Sequence, residues 1–567
     1  MLILSLSLLA LCIFSFFVPL LDKKLASHLW QLVYVAPLIL TAVLSAFTGG
    51  SFACLGFYLG AGLMILSLYA GKARNKTMIS AASTLCVLVS MFVVLVLKTG
   101  TGATYLKDFE EGFTTMREHY VLTEEKDIDW NKLYAKYRPL FERADAMQDE
   151  VLNYKSWLQF TQEFHDGHVG YTAEKTKDEE KAKCEIFGRD YGLSLLRLSS
   201  GEYVAVNVEG CGEALSITDY GEDYAYAGEY LSETAEADRL TLKNAGLHNG
   251  SIITAWDGRS IEEAEKEVDV YVDSFPSLDN EEFYLPLYAA GKGGESVDIS
   301  FIDDNGKEKT VTAKALGAYY PRLKSTVKLL DSGVNISNLD FQEVDAETVL
   351  LRIYQMAYDT KSYDGADYTA MSEEVRSKVL EYREKGYKRM ILDLRKNGGG
   401  SPFMVGGVVQ LFAPKGEHLV AYSTKINEKT ASYERGSDGK YVKDQAQTYM
   451  GEDLWSHGDI LLLVNYETVS AGDMMTYLMA EYPNVTILGF TGSNSSCQAV
   501  TGTYLSAGTL TFSAVPNLDE DSEPIIDTRS DRLRGVPIDH VIPLSEEAVS
   551  AIFDRGEDYV LEYAVRY

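Results

Sequence analysis

Three segments of this chain are apolar along their whole length rather than on alternate residues. They are "ETVLLRIYQMA" (347–357), "RMILDL" (389–394) and "DILLLV" (459–464). A strand with one wet face alternates; a strand that does not alternate needs both faces covered. Between the first two lies "MSEEVRSKVLEYREKG" (371–386), whose apolar residues recur at three and four, the period of an amphipathic helix. Another helix-like stretch follows the third strand. Strand, helix, strand, helix of this kind folds as an α/β layer with a covered, largely parallel sheet.

Two of these strands end in unusual ways. After 394 the chain runs "RKNGGGSP", with Gly398, Gly399 and Gly400 in succession. After 464 it runs "NYETVSAGD", with Ser470 on the corner between strand and helix. Each feature has a plain reading, since three glycines make a turn and serine is a preferred N-cap. Each also has a chemical one. Glycines let backbone amides approach a reacting oxygen, and a strand-to-helix corner exposes a hydroxyl beside free N–H groups. Both ends are carboxyl ends of strands, where α/β sheets gather their ligands. That agreement favours the chemical reading.

The charge is unevenly spread. Residues 1–100 hold six Lys/Arg and one acid, Asp22; the other 467 residues hold 46 Lys/Arg against 82 Asp/Glu. So acidic a surface repels phosphate backbones, and nucleic acid is not an expected partner. Four apolar runs, roughly 2–21, 29–48, 51–70 and 79–97, are each long enough to cross about 30 Å of hydrocarbon. The basic loops Lys23-Lys24 and "GKARNK" (71–76) predict an integral membrane protein of the cell membrane, with everything after the fourth run on the outer side. The lipid bilayer is then a partner. Of six cysteines, Cys12, Cys54 and Cys86 lie in these runs and Cys184, Cys211 and Cys497 beyond them. No CxxC spacing occurs, so neither a zinc site nor a disulfide framework is expected. No cofactor or metal is expected; the acidic "NLDEDSEPIID" (517–527) lacks the ligand spacing of a calcium loop.

The remainder divides into three. Residues 101–183 are expected to be helical, with Asp129 as a cap before Trp130. Residues 184–317 read as short strands and turns, including hairpins around "SSGE" (199–202) and "DDNG" (303–306). Residues 318–567 form the α/β part. Within the second, "GLHNGSIITAWDGRSI" (246–261) resembles a PDZ fold as found in bacterial proteases, with Ser251 where that fold has aspartate. The resemblance implies a peptide-end loop at Tyr191, Gly192 and Leu193 and peptide capture by strand addition. It also makes 212–238 an acidic insertion.

Taken in order, "FHDGHVGY" (164–171), "TVLLRIYQMA", "RMILDLRKNGGG" and "ILLLVNYETVSAGD" resemble the tail-specific or C-terminal processing serine peptidases, in their tricorn-like and chlamydial-protease-like branch. The resemblance covers roughly 103–567. Together with the four apolar runs, the two resemblances give a multi-domain fold class: four transmembrane helices (1–100), a helical domain (101–183), a PDZ-like β domain (184–317) and a crotonase-like α/β (ββα) core (318–567). The peptidase resemblance implies a serine endopeptidase acting on protein or peptide substrates, anchored by the apolar runs and facing outside the membrane. It puts Ser470 at the nucleophile position, Ala471 with Gly398 or Gly399 at the oxyanion amides, and His168 at the base. Much of that family uses a lysine after the serine instead. Here the matching stretch, "GFTGSNSSCQ" (489–498), has none, and no lysine follows Lys443, which favours histidine. Gln498 keeps a family glutamine position, either supporting or structural. The acid implied by the resemblance is Asp531, with Asp527 as fallback; a solvated loop charge is the other reading of either. His165 is read as structural. Two other functions stay open: a catalytically inactive membrane-tethered scaffold binding peptides through the PDZ-like domain, and a carrier of hydrophobic ligands.

Overall fold

The computed structural model describes residues 104–212, 236–331, 338–357, 368–427 and 429–567. Its helical layer comes first: α1 (Tyr105–His119), α2 (Trp130–Met147) and α3 (Glu150–Gln162). Asp129 and Asp149 cap α2 and α3, accepting the N–H groups of Lys132 and Leu152. Their apolar stripes meet in an aromatic cluster in which Phe109 stacks on Phe141 at 4.4 Å. A short strand, β1 (Gly170–Ala173), follows.

Beside a two-residue pairing of Arg189–Asp190 with Gly317–Ala318, the next part holds two further small sheets. One pairs β2 (Ser194–Arg197) with β3 (Tyr203–Val206) around the "SSGE" turn. The other has the order β4 (Ile253–Trp256), β5 (Ser296–Ile302), β6 (Glu308–Lys314), with the "DDNG" turn between the last two. Helix α4 (Tyr320–Leu330) closes this part. The expected acidic insertion falls almost entirely outside the described residues.

The central sheet has six strands. They are β7 (Leu339–Glu343), β8 (Thr348–Ile353), β9 (Arg389–Asp393), β10 (Asp459–Leu463), β11 (Val485–Gly489) and β14 (His540–Val541), in the spatial order β14-β11-β10-β9-β8-β7. All neighbours are parallel except β7–β8. The register sets Leu350, Ile391 and Leu461 side by side on one face, and Leu351, Leu392 and Leu462 on the other. The second face is covered by α5 (Tyr368–Lys385), α6 (Pro402–Phe412) and α7 (Ala471–Met479), while the first joins the core shared with the preceding parts. Both faces are therefore dry, as the unbroken apolar runs require. A hairpin of β12 (Ala499–Tyr504) and β13 (Gly508–Val515) takes β1 as its third strand, in the order β1-β13-β12. Residues Tyr105–Tyr567 form one unit.

The four-span part of the expected fold class and the integral-membrane localisation are corrected here. Among the described residues no helix is long and apolar enough to cross a membrane. The longest, α2 and α5, have 18 residues each, and their outer faces carry charges such as Lys136, Arg138, Glu373 and Lys385. The four apolar runs lie outside the described residues.

Candidate active site

Strands β9 and β10 are parallel neighbours, so the glycine loop (394–400) and the serine corner (464–470) leave the sheet together. Leu394 N–H donates to the carbonyl of Leu463 at 2.9 Å. Asn397, fully buried, locks the two loops: its carbonyl accepts Val469 N–H at 3.0 Å, and its side chain donates to Ile353 O at 2.9 Å. Gly399 has φ +92°, and a Cβ there would stand 2.6 Å from that of Ser470. Only glycine permits both this backbone angle and this approach.

Ser470 is the residue before α7, yet its hydroxyl caps nothing. Its backbone sits at φ +62° and ψ −117°, which a serine rarely adopts. Ser470 N–H donates to Ser496 O at 2.9 Å, and its carbonyl accepts Met474 N–H, also at 2.9 Å. Of the expected oxyanion amides, that of Gly399 is spent on Asn397 Oδ1 at 3.0 Å. Those of Gly398 and Ala471 have no hydrogen bond among the described residues.

His168 reaches this corner from the far end of the chain. Helix α3 ends at Gln162, His165 turns the backbone with φ +43°, and β1 then pairs antiparallel with β13, Gly170 opposite Thr511. Gly167 N–H donates to Ser496 Oγ at 2.8 Å. One residue, Ser496, thus holds the backbone next to His168 with its hydroxyl and the backbone of Ser470 with its carbonyl. A Cβ on Gly167 would collide with Asn494 Oδ1, 1.9 Å away. His168 is half-buried and its Nδ1 is enclosed. Burial lowers its pKa, while the Asp166 charge and the carbonyl of Gln498 pull it upward.

The carboxylates fall differently from expectation. Asp531 is exposed and uses its carboxylate to accept Leu533 N–H at 2.9 Å; it has no hydrogen bond to His168. Asp527 is buried, and Oδ2 accepts Gln498 Nε2 at 2.7 Å and Cys497 N–H at 3.2 Å. Burial raises its pKa, and the charge of Asp166 adds to the rise. Asp166 itself is fully buried. It accepts His168 N–H at 2.8 Å, Tyr120 Oη at 3.1 Å and Ser513 Oγ at 2.9 Å. Lys126 stands beside these acids and donates to the carbonyls of His165 and Thr528. Gln498 is fully buried and bridges Asp527 and Ile525 O.

Sequence reasoning passed over Asp473, which is fully buried in the first turn of α7. Its two oxygens accept the N–H groups of Ser495 and Ser496 at 2.9 and 3.0 Å. Burial drives its pKa to about 7 against these hydrogen bonds. Its place inside "SAGD" was the only local signal. Beside the site lies a cavity of about 370 Å³, touched by Gly167, Val169, Val469 and Glu467.

Tyr191, Gly192 and Leu193, expected to take a peptide end, are all buried. Gly192 N–H is bonded to Asp190 at 2.8 Å and its carbonyl accepts Glu209 N–H at 2.7 Å, so the loop is closed on itself. Arg322, on α4, bridges Asp190 and Glu209 beneath it.

Residues 347–515 match the model of Peptidase family S41, and residues 102–149 that of the Tricorn protease C1 domain. The matched S41 segment contains both strand ends, Ser470 and the glycine loop. Both matched models are those of peptidases. Among curated proteins the chain is similar to a probable CtpA-like serine protease of Staphylococcus aureus (strain N315), 23% identical over 197 residues. That alignment covers 35% of this chain and 34% of the relative, so the chain spans about a third of the length of the curated relative it matches. Among solved structures, mature CPAF aligns with 81% of this chain and 96% of its own, at 10% identity and a TM-score of 0.49. The photosystem II D1 C-terminal processing protease aligns with 79% and 97%, at 13% identity and a TM-score of 0.32.

Proposed function

We propose that this chain hydrolyses peptide bonds in protein or peptide substrates, with Ser470 as nucleophile and His168 as general base. The observation that carries the reading is the double hold of Ser496 on the backbones of Gly167 and Ser470. A serine whose hydroxyl caps nothing, in a strained conformation at a sheet's carboxyl edge, supports it.

In this reading Ser470 Oγ attacks the carbonyl carbon while His168 takes its proton. A ring with a lowered pKa is neutral at pH 7 and ready to accept one. The N–H groups of Ala471 and Gly398 receive the developing oxyanion; Gly399 serves by its shape, since its amide is engaged. Removing one oxyanion donor typically costs about 100–1000-fold in rate. His168 returns the proton to the leaving amine, and water repeats the sequence on the acyl-enzyme. The acid role passes from Asp531 to Asp166, whose charge favours the imidazolium and whose carboxylate fixes the backbone of His168. Asp527 acts at one remove, through Gln498. The 184–317 part, resembling a PDZ module, serves as a wall of the fold, its peptide-end loop being closed.

Treating the full chain with a fluorophosphonate probe tests the assignment. Label is expected on the wild type and lost in Ser470→Ala, with casein hydrolysis lost in parallel. A wild-type chain that neither labels nor hydrolyses casein is the inactive peptide-binding scaffold instead.

A further inference from the structure

Strand β12 (Ala499–Tyr504) begins immediately after Gln498 and forms the edge of its sheet. One side pairs with β13, from Ala499 opposite Val515 to Tyr504 opposite Thr509. Among the described residues nothing pairs the other side. An edge of this kind offers a row of free N–H and C=O groups, and proteins usually guard it with charge, proline, a bulge or a covering segment. "AVTGTY" has neither charge nor proline. The only irregularity in its pairing is at its first residue, and it lies open, with Val500 54% and Tyr504 86% exposed.

The space beside it is shaped as a trough. A groove of about 920 Å³ is lined by Val500, Thr501, Gly502 and Thr503, with Ile426 and Tyr433 among its other walls. Successive strand residues point to opposite faces. The groove touches four in a row on β12 and also Ala514 and Val515 of β13, so it opens onto β12 without being confined to its free edge. At about 3.3 Å per residue the edge offers about 20 Å, the length of an extended hexapeptide.

We infer that the open edge of β12 takes the substrate polypeptide as an added, extended strand and leads it to Ser470. This deepens the peptidase reading and rests on it. Continuity with the site names the occupant. Ser496 holds the backbones at Ser470 and His168, Cys497 and Gln498 follow, and the free edge starts at the next residue. Within the groove Arg435 is paired with Glu124 at 3.1 Å and lies over the ring of Tyr441, while exposed Glu118 and His119 also line it. The fitting segment is unfolded and rich in β-branched and aromatic side chains, held by main-chain hydrogen bonds more than by one specific side chain. Capture of this kind belongs to the core hairpin, not to the closed loop at 191–193.

The test is hydrogen exchange on the full chain carrying Ser470→Ala, with and without unfolded β-casein. Casein is expected to slow exchange of the outward amides of 499–504 at least about fivefold, the effect of forming a hydrogen bond of ordinary strength. Val500→Lys, which guards the edge with a charge, should remove that slowing and raise KM for casein about tenfold in the otherwise wild-type chain. Slowing confined to other segments, or none at 499–504 while the wild type cuts casein, overturns the inference and leaves the peptidase intact. Slowing at 499–504 that grows with the protein's own concentration, without casein, assigns the edge to a second copy and overturns it too. Casein-dependent slowing in a chain that neither cuts casein nor labels with fluorophosphonate sinks the peptidase reading and keeps strand addition.

Discussion

Burial and charge act in opposite directions on His168, and burial wins. Enclosure of Nδ1 disfavours the protonated ring, and the pull of Asp166 and of the Gln498 carbonyl does not restore it. The neutral, proton-accepting ring therefore persists to a lower pH than in a solvated histidine. The acid limb of kcat/KM for casein should fall below pH 6.5, the ordinary histidine value. A limb at or above 6.5 would point to a solvated ring or another base. Asp473 releases its proton near pH 7. An inflection there that disappears in Asp473→Asn belongs to that carboxyl and not to the ring. Ser470 and the glycines could be singled out in the sequence because each sits in a short motif whose chemistry is local, and His168 because its motif resembles that of a peptidase family. Asp473 and Ser496 could not. Their importance lies in hydrogen bonds from Ser496 N–H to Asp473 and from Gly167 N–H to Ser496 Oγ, and the last of these spans 329 positions.

Among the elements, the central sheet follows its sequence closely. Leu350, Ile391 and Leu461 face one layer and their neighbours the other, and the polar residues of the three strands stand at or next to their ends, where Arg352 pairs with Asp393. The part between 184 and 317 is where pattern and packing diverge. Its two hairpins form where the turn residues put them, yet the loop that would receive a peptide end is shut by Asp190 and Glu209. The reason is Arg322, fully buried, which donates to Asp190 at 2.6 Å and Glu209 at 2.7 Å and also holds Asn207 O. Removing it leaves two carboxylates enclosed without a cation. Arg322→Ala should destabilise the chain by about 3–5 kcal/mol, the usual cost of breaking a buried ion pair. Denaturant unfolding measures this; a change under about 1 kcal/mol would mean that water reaches the two acids. No pattern of residue types around Arg322 announced this role.

Over the whole molecule, the helical layer is tied to the core and leads the chain to His168. It is joined to the core by β1 on β13 and by Asp108 of α1, which is buried. The carboxylate of Asp108 accepts the N–H groups of Ser506 and Ala507 at 3.1 and 2.8 Å, at the turn of the β12–β13 hairpin. Asp108→Ala removes both acceptor contacts at a turn where Ser506 is exposed and Ala507 half-buried, and should cost about 1–3 kcal/mol. It should also lower casein hydrolysis, since the same hairpin positions His168 and carries the open edge. Full activity with a lowered denaturation midpoint would show that the hairpin keeps its place without this tie. By residue type and short-range spacing alone, the sequence dictates a doubly covered sheet and a hydroxyl on a strand-to-helix corner beside a glycine loop; the imidazole in place of lysine is what the family resemblance implies. Which carboxylates stand near that imidazole, which amides stay free, which peptide loop is closed and which strand edge is open were settled only by the tertiary structure. Burial and hydrogen-bond occupancy depend on partners hundreds of residues away, and local pattern carries no record of them.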